Sequence, residues 1–282
     1  MLEYNNYDAN GERLVCEMGK YHPEMLMTIK VKKFTEGETI TVLDSANETA
    51  FLILRGEASI TWQGTTETMK RSGPFEKTPY CLHVPRNVEV SITAKDGTEI
   101  LIQQTDNDKD FAPVFYKPED ILYQEFGKGQ WGGTGHRICS TVFDYDNAPY
   151  SNMVLGEVFN QPGKWSSYPP HHHPQPEVYY YQFDKPQGFG ACFIGDDVYK
   201  SVEGSASYIT DGFLKFLCAV RGLHNIHVLH MGGLCRTFLD AILYISKRIL
   251  TALCLRYGGY RCFARCSSSC SRATISGTAF SE

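Results

Sequence analysis

Gly163-Lys164-Trp165-Ser166-Ser167-Tyr168-Pro169-Pro170-His171-His172-His173-Pro174-Gln175-Pro176-Glu177-Val178-Tyr179-Tyr180-Tyr181-Gln182-Phe183 is the stretch on which the reading of this chain turns. In an extended backbone successive side chains alternate between faces, so His171 and His173 share one face and His172 takes the other. Glu177 follows four residues after His173 and opens a run, Val178–Phe183, with the β-branched and aromatic content of a strand. Two imidazoles and a carboxylate placed this way can converge on one divalent ion. Neutral imidazole with carboxylate suits Zn first, with Mn, Fe or Ni as alternatives, whereas Ca and Mg prefer all-oxygen sites. Pro169, Pro170, Pro174 and Pro176 stiffen the segment and lower the entropy lost in assembling such a site. A bare His-x-His also fits a surface loop; the carboxylate, the upstream Gly163 and the aromatic strand favour the metal reading.

Working outward, the chain on both sides reads as β-structure. Runs rich in Val, Ile, Thr and aromatics recur at Met27–Lys32, Thr39–Leu43, Ala50–Leu54, Ala58–Gln63, Leu82–Pro85, Val88–Ala94 and Glu99–Gln103. A second set follows at Arg137–Phe143, Met153–Asn160, Val178–Phe183, Gly190–Ile194, Asp197–Val202 and Ala206–Ile209. Two sets of short strands predict an all-β protein of two barrels or sandwiches. Lys117–Phe126 is the best helix candidate and sits where a linker between them belongs. Cys16, Cys81, Cys139 and Cys192 show no motif spacing and read as small core residues of a reducing compartment.

The average composition hides a break. The net charge of −5 over 282 residues gives no reason to expect a nucleic-acid or anionic-membrane partner. Yet residues 1–212 hold 18 Lys+Arg against 30 Asp+Glu, while the last 70 hold 9 against 2. All 13 prolines lie in the acidic part, and 6 of the 10 cysteines lie in the basic one. The polar start lacks a basic-then-apolar leader, and no run of eighteen apolar residues is present. A soluble, cytoplasmic protein is the expectation.

The pattern G-x7-H-x-H-x3-E, followed by a strand and Gly188, resembles the first metal motif of the cupin superfamily. The longer string PPHHHPQPEVYYYQFDKPQGFG, with GDDVYKSVEG after it, resembles the 5-deoxy-glucuronate isomerases of myo-inositol catabolism, which are two-cupin proteins. The resemblance covers most of residues 1–212 and is strongest from Gly163 to Gly212. It implies tandem jelly-roll barrels at 1–125 and 126–212, the first structural and metal-free because it lacks a His pair before Phe51. It also implies an aldose–ketose isomerisation of a sugar acid, 5-deoxy-glucuronate, to a 2-deoxy-5-keto-gluconate type product through an enediolate. His171, His173 and Glu177 match the metal-ligand positions. Tyr179 and Tyr181 share the strand face of Glu177 and are candidates for proton relay or substrate contact, beside a plain core role. Lys164 can pair with a uronate carboxylate, and Gln187 can hydrogen-bond substrate or simply hold a turn. The implied partner is a small sugar acid, with no nucleic acid and no membrane; assembly into a homo-oligomer stays open.

The family pattern stops at Thr210-Asp211-Gly212. A further histidine is expected next, and Lys215 stands close to its place, while His224, His227 and His230 follow at every third residue. A reading-frame shift near codons 212–219 accounts for the composition break and the lost motif together, a natural, divergent C-terminal extension is the competing view, and the nucleotide sequence decides between them. The second barrel is then expected to be incomplete, with 213–282 an atypical basic, cysteine-rich tail. Related hexuronate ketol-isomerases of pectin breakdown, iron oxygenases and non-catalytic sugar-binding cupins share the same triad chemistry. Assays on the two sugar acids, and oxygen uptake, separate them.

Overall fold

The computed structural model describes residues 1–75, 78–171, 174–210, 215–219 and 223–230; for 167–171, 215–219 and 223–230 it is the backbone that is described. Among these residues there is no α-helix, only three single turns of 3-10 helix, and no helix is long and apolar enough to cross a membrane.

Twenty strands run in chain order as β1 (Leu2–Tyr4), β2 (Glu12–Cys16), β3 (Thr28–Lys33), β4 (Thr39–Val42), β5 (Asn47–Trp62), β6 (Thr65–Arg71), β7 (Cys81–Val84), β8 (Val90–Ala94), β9 (Glu99–Asp106) and β10 (Val114–Tyr116). The rest are β11 (Leu122–Phe126), β12 (Arg137–Phe143), β13 (Met153–Asn160), β14 (Trp165–His171), β15 (Glu177–Phe183), β16 (Gly190–Ile194), β17 (Asp197–Ser201), β18 (Ser205–Ile209), β19 (Lys215–Ala219) and β20 (Leu223–His230). Strands β2 to β10 form the first barrel. The second is a seven-stranded sheet, β1-β18-β15-β20-β13-β12-β11, facing a four-stranded one, β14-β19-β16-β17. The architecture is the tandem barrel that the alternation and the cupin resemblance predict.

Each barrel is filled by its own inward positions. Phe51, Ile53, Ile60, Leu82, Ile92 and Ile100 fill the first; Tyr179, Tyr181, Phe183, Ile194 and Ile209 help fill the second. The opposite faces do not meet water. Ala50, Leu52 and Leu54 of β5 pack with Leu155, Val178 and Tyr180 of the second barrel in one continuous apolar layer. A strand buried on both faces reads as an unbroken apolar run, which is why Ala50–Leu54 shows no polar alternation. Arg71 and Glu157 sit inside that join, both fully buried, with two parallel hydrogen bonds of 2.7 and 2.8 Å.

Strand β5 serves two sheets, pairing with β7 and β9 along its first half and with β6 and β8 along its second. The change of partner needs Gly56, whose φ is +98° and whose missing Cβ would stand 2.6 Å from Thr98 Cα. Gly56→Ala is therefore expected to cost about 3 kcal/mol, from the left-handed strain and the backbone contact together; the shift in a urea unfolding midpoint measures it.

Three expectations are corrected. Lys117–Phe126 is not a helix: a single 3-10 turn at Pro118–Asp120 leads into β11, which pairs with β12 from Leu122↔Thr141 to Phe126↔Arg137. Cross-strand pairing outweighs the weak helical pattern. The second barrel does not begin at 126, since β1 pairs with β18 through Leu2↔Ser207 and carries the first residues into its sheet. Nor is that barrel left incomplete at 212. Strand β19 fills the place between β14 and β16, and β20 pairs with both β13 and β15. The β-branched and apolar residues of 223–230 suit a central strand whatever the charge of the region around them. Residues 231–282, with the Cys262, Cys266 and Cys270 series, lie outside the described residues.

Candidate functional site in the second barrel

Alternation along β15 sets the site. Val178 and Tyr180 turn to the join between barrels, and Tyr179, Tyr181 and Phe183 turn inward with Leu2, Cys192, Ile194 and Ile209. Glu177 lies in phase with the inward set and is 1% exposed. The Tyr179 hydroxyl donates to Glu177 Oε1 at 2.7 Å, and the Tyr179 and Tyr181 rings stack with centroids 6.4 Å apart. The Tyr181 hydroxyl lies 2.6 Å from Ser207 Oγ and 3.4 Å from Cys192 Sγ.

Burial, followed by the neighbouring Cys192, pushes the Tyr181 phenol well above its usual range, and burial likewise raises the Cys192 thiol. Both groups hold their protons at neutral pH. Tyr181 can therefore donate a hydrogen bond to a ligand oxygen, and it does not serve as a resting phenolate base. Tyr179 acts differently. Its proton is committed to Glu177, so it fixes the carboxylate and its orientation.

The other expected residues fall as follows. His171 ends β14, where its backbone pairs with Lys215 of β19, and Lys215 in turn pairs with Ile194. The position expected for the missing late histidine thus stands beside 171 in register. Strand β20 sets positions 225, 227 and 229 opposite Tyr181, Tyr179 and Glu177. His173 lies outside the described residues. Among those described, no three His, Cys, Asp or Glu side chains converge into a metal-holding group. What bears on an ion is the buried carboxylate itself: Glu177 stands at the inner wall in phase with Tyr179 and Tyr181, and a carboxylate is a donor that suits a divalent cation. Lys164 closes the turn from β13 to β14, its backbone N–H donating to Gln161 O at 3.0 Å. Gln187 is exposed in the turn between β15 and β16. Ser207 and Cys192 were not legible as site residues, because their contact with Tyr181 depends on the pairing of three separate strands.

The model of the KduI/IolB family matches residues 2–240, so the likeness continues 28 residues beyond Gly212. Among curated proteins, the 5-deoxy-glucuronate isomerase of Bacillus subtilis is 27% identical over 234 residues, spanning 78% of this chain and 83% of its own. Those of Lacticaseibacillus casei and Bacillus velezensis are 26% and 30% identical, spanning 64% and 57% of this chain. The matched stretch covers 70% of the first and 62% of the second. Among solved structures, an IolB-like protein from Salmonella typhimurium superposes with a TM-score of 0.73 at 18% identity, covering 83% of this chain and 94% of that one. The oxalate decarboxylase of Lactobacillus farciminis superposes at 0.60 with 13% identity, covering 82% and 86%. These two likenesses concern the fold, that of the cupins. With a family model spanning most of its length and relatives that are isomerases, the chain belongs to the KduI/IolB family of isomerases.

Proposed function

We propose that the chain interconverts the aldose and ketose forms of a sugar acid, 5-deoxy-glucuronate and its 2-deoxy-5-keto-gluconate type product, with one divalent ion held by His171, His173 and Glu177. The observation that carries this reading is the buried Glu177 carboxylate, fixed by Tyr179 at the inner wall of the second barrel. Zn is the first choice for a donor set of imidazole and carboxylate, with Mn, Fe or Ni as alternatives. When bound, such an ion supplies the Lewis acidity that loosens the carbon proton beside a carbonyl and steadies the enediolate.

The residues of the chain supply the rest. Tyr179 keeps Glu177 oriented, as outer partners of ligands do. Tyr181, protonated and backed by Ser207, offers a hydrogen bond to a substrate oxygen. The apolar wall of Leu2, Ile194 and Ile209 excludes water and strengthens each of these polar contacts. The reaction is proposed as cytoplasmic, in agreement with Cys16, Cys81, Cys139 and Cys192 being free thiols.

Metal content measured together with conversion of 5-deoxy-glucuronate tests the reading. Near-stoichiometric metal with turnover supports it. Metal without turnover, or turnover of a hexuronate in its place, overturns the substrate assignment. Tyr179→Phe is expected to keep the fold and weaken metal affinity about 10–100-fold, as read by chelator competition.

A further inference from the structure

At the far end of β15 from Glu177, the second barrel carries polar groups that the reading above leaves unused. Arg137 at the start of β12 and Asn160 at the end of β13 are directly opposite each other in register. Asn160 is 3% exposed, and neither its amide nitrogen nor its amide oxygen has a hydrogen-bond partner. Across the turn at 161–164, Ser166 is 1% exposed and its hydroxyl is also unpartnered. The Arg137 guanidinium lies 5.3 Å over the Phe126 ring, with Nη1 donating to Gly135 O at 3.3 Å. Neither Arg137 nor Lys164 has a carboxylate within ion-pair distance among the described residues.

A buried amide left without partners costs about 1–3 kcal/mol, so such a group calls for an explanation. Register sets Arg137 opposite Asn160, and Lys164 stands two residues before Ser166. Two cationic side chains without a carboxylate partner among the described residues thus leave the same end of the barrel as a buried amide and a buried hydroxyl. The Arg137 guanidinium is otherwise held by Gly135 O and the Cys139 thiol. The chemical complement of this set is a carboxylate flanked by hydroxyls, and a guanidinium can grip that carboxylate through two parallel bonds. We infer that Arg137, with Lys164, binds the carboxylate of the sugar acid, while Asn160 and Ser166 take its hydroxyls.

The reach is suitable. Ser166 pairs with Leu217 and His171 with Lys215, so a bulge in β14 brings them to levels two residues apart along β19. That is about 7 Å at the rise of a strand, against about 6 Å for six tetrahedral carbons in a row. Ser166 is also level with Cys192, whose thiol meets the Tyr181 hydroxyl. A sugar acid whose hydroxyls meet Ser166 would thus present its other end at the level of His171. This assignment rests on the sugar-acid reading proposed above and adds the residues that select for the acid.

The test is chosen so that the two can fail separately. D-gluconate carries the carboxylate and hydroxyls without an aldehyde, and sorbitol carries the hydroxyls alone. Calorimetry on the full chain is expected to show gluconate binding about tenfold or more tighter than sorbitol, with Arg137→Met abolishing the difference and Arg137→Lys retaining part of it. In turnover, Arg137→Met is expected to raise KM about tenfold with kcat changed less than about threefold. Gluconate preference that tracks Arg137 without isomerase activity leaves the subsite standing and removes the proposed reaction. Unchanged gluconate affinity in a natively folded Arg137→Met, or no preference for gluconate in the parent, overturns the inference. Should Arg137→Met lose its near-ultraviolet dichroism, Lys164→Met carries the same test, while Asn160→Ser is expected to weaken gluconate and sorbitol alike. A loss of the gluconate preference in Lys164→Met supports the inference, and an intact preference overturns it.

Discussion

Arg71→Ala is expected to lower the unfolding free energy by about 3–5 kcal/mol, the penalty for leaving a buried charge without its partner. Arg71 and Glu157 are both fully buried between the barrels, and their two hydrogen bonds are reinforced by Arg71 donating to Ile53 O at 3.1 Å and Pro74 O at 3.2 Å. Glu157→Ala should cost a similar amount, because the buried guanidinium then loses both of its hydrogen bonds to the carboxylate. Replacing both, Arg71→Met with Glu157→Leu, is expected to recover most of the loss, since a buried ion pair barely repays its own desolvation. Urea unfolding of the three variants measures this. A single-variant loss below about 1 kcal/mol would mean that water reaches the pair. Glu157 also lies on β13, whose next neighbour is β20. The same variants therefore report on whether the join between barrels helps to hold the late strands in place.

On the metal-dependent reading proposed above, Glu177→Gln is expected to remove most of the metal and to lower kcat/KM by about 10³-fold or more, the several kcal/mol that a Lewis-acidic ion contributes. The substitution is nearly isosteric, and the amide oxygen can still accept the Tyr179 hydrogen bond. A stability measurement separates loss of metal from loss of fold. With chelator present, the variant should be about as stable as the parent, because the change is nearly isosteric and keeps the Tyr179 hydrogen bond. With saturating metal the parent should become the more stable of the two, since binding to the native state stabilises only the parent. A variant that retains stoichiometric metal would remove Glu177 from the ligand set.

Much of the architecture was legible because strand alternation and turn residues are local. The runs at Thr39–Leu43, Val88–Ala94 and Met153–Asn160 fall on β4, β8 and β13 within a residue or two at each end. Glu177 and Tyr179 could be placed on one face by counting, and their hydrogen bond bears that phase out. What escaped was everything decided by pairing across long stretches of chain. The Arg71–Glu157 pair joins residues 86 apart, and nothing local marks either as buried. Strand β11 has exposed residues throughout, so its identity comes from β12 and not from its own composition. Positions 215–219 and 223–230 were obscured by the basic, cysteine-rich composition that surrounds them, although their sheet neighbours accept them as strands. Asn160 and Ser166 look ordinary in sequence. Their interest lies in hydrogen bonds that are missing, which no motif records.

The pairing of β1 with β18 has a kinetic meaning. Leu2 opposes Ser207, so β1 is synthesised some two hundred residues before its partner. The first barrel can assemble during synthesis, but the second waits for its own last strands and then recaptures the N-terminal segment. Contacts so distant in sequence close slowly. A bulky N-terminal fusion would burden that closing step while leaving the first barrel intact. Deletion of residues 1–4 should likewise expose the edge of β18 and be felt at Tyr181 through Ser207, some two hundred residues along the chain from the cut.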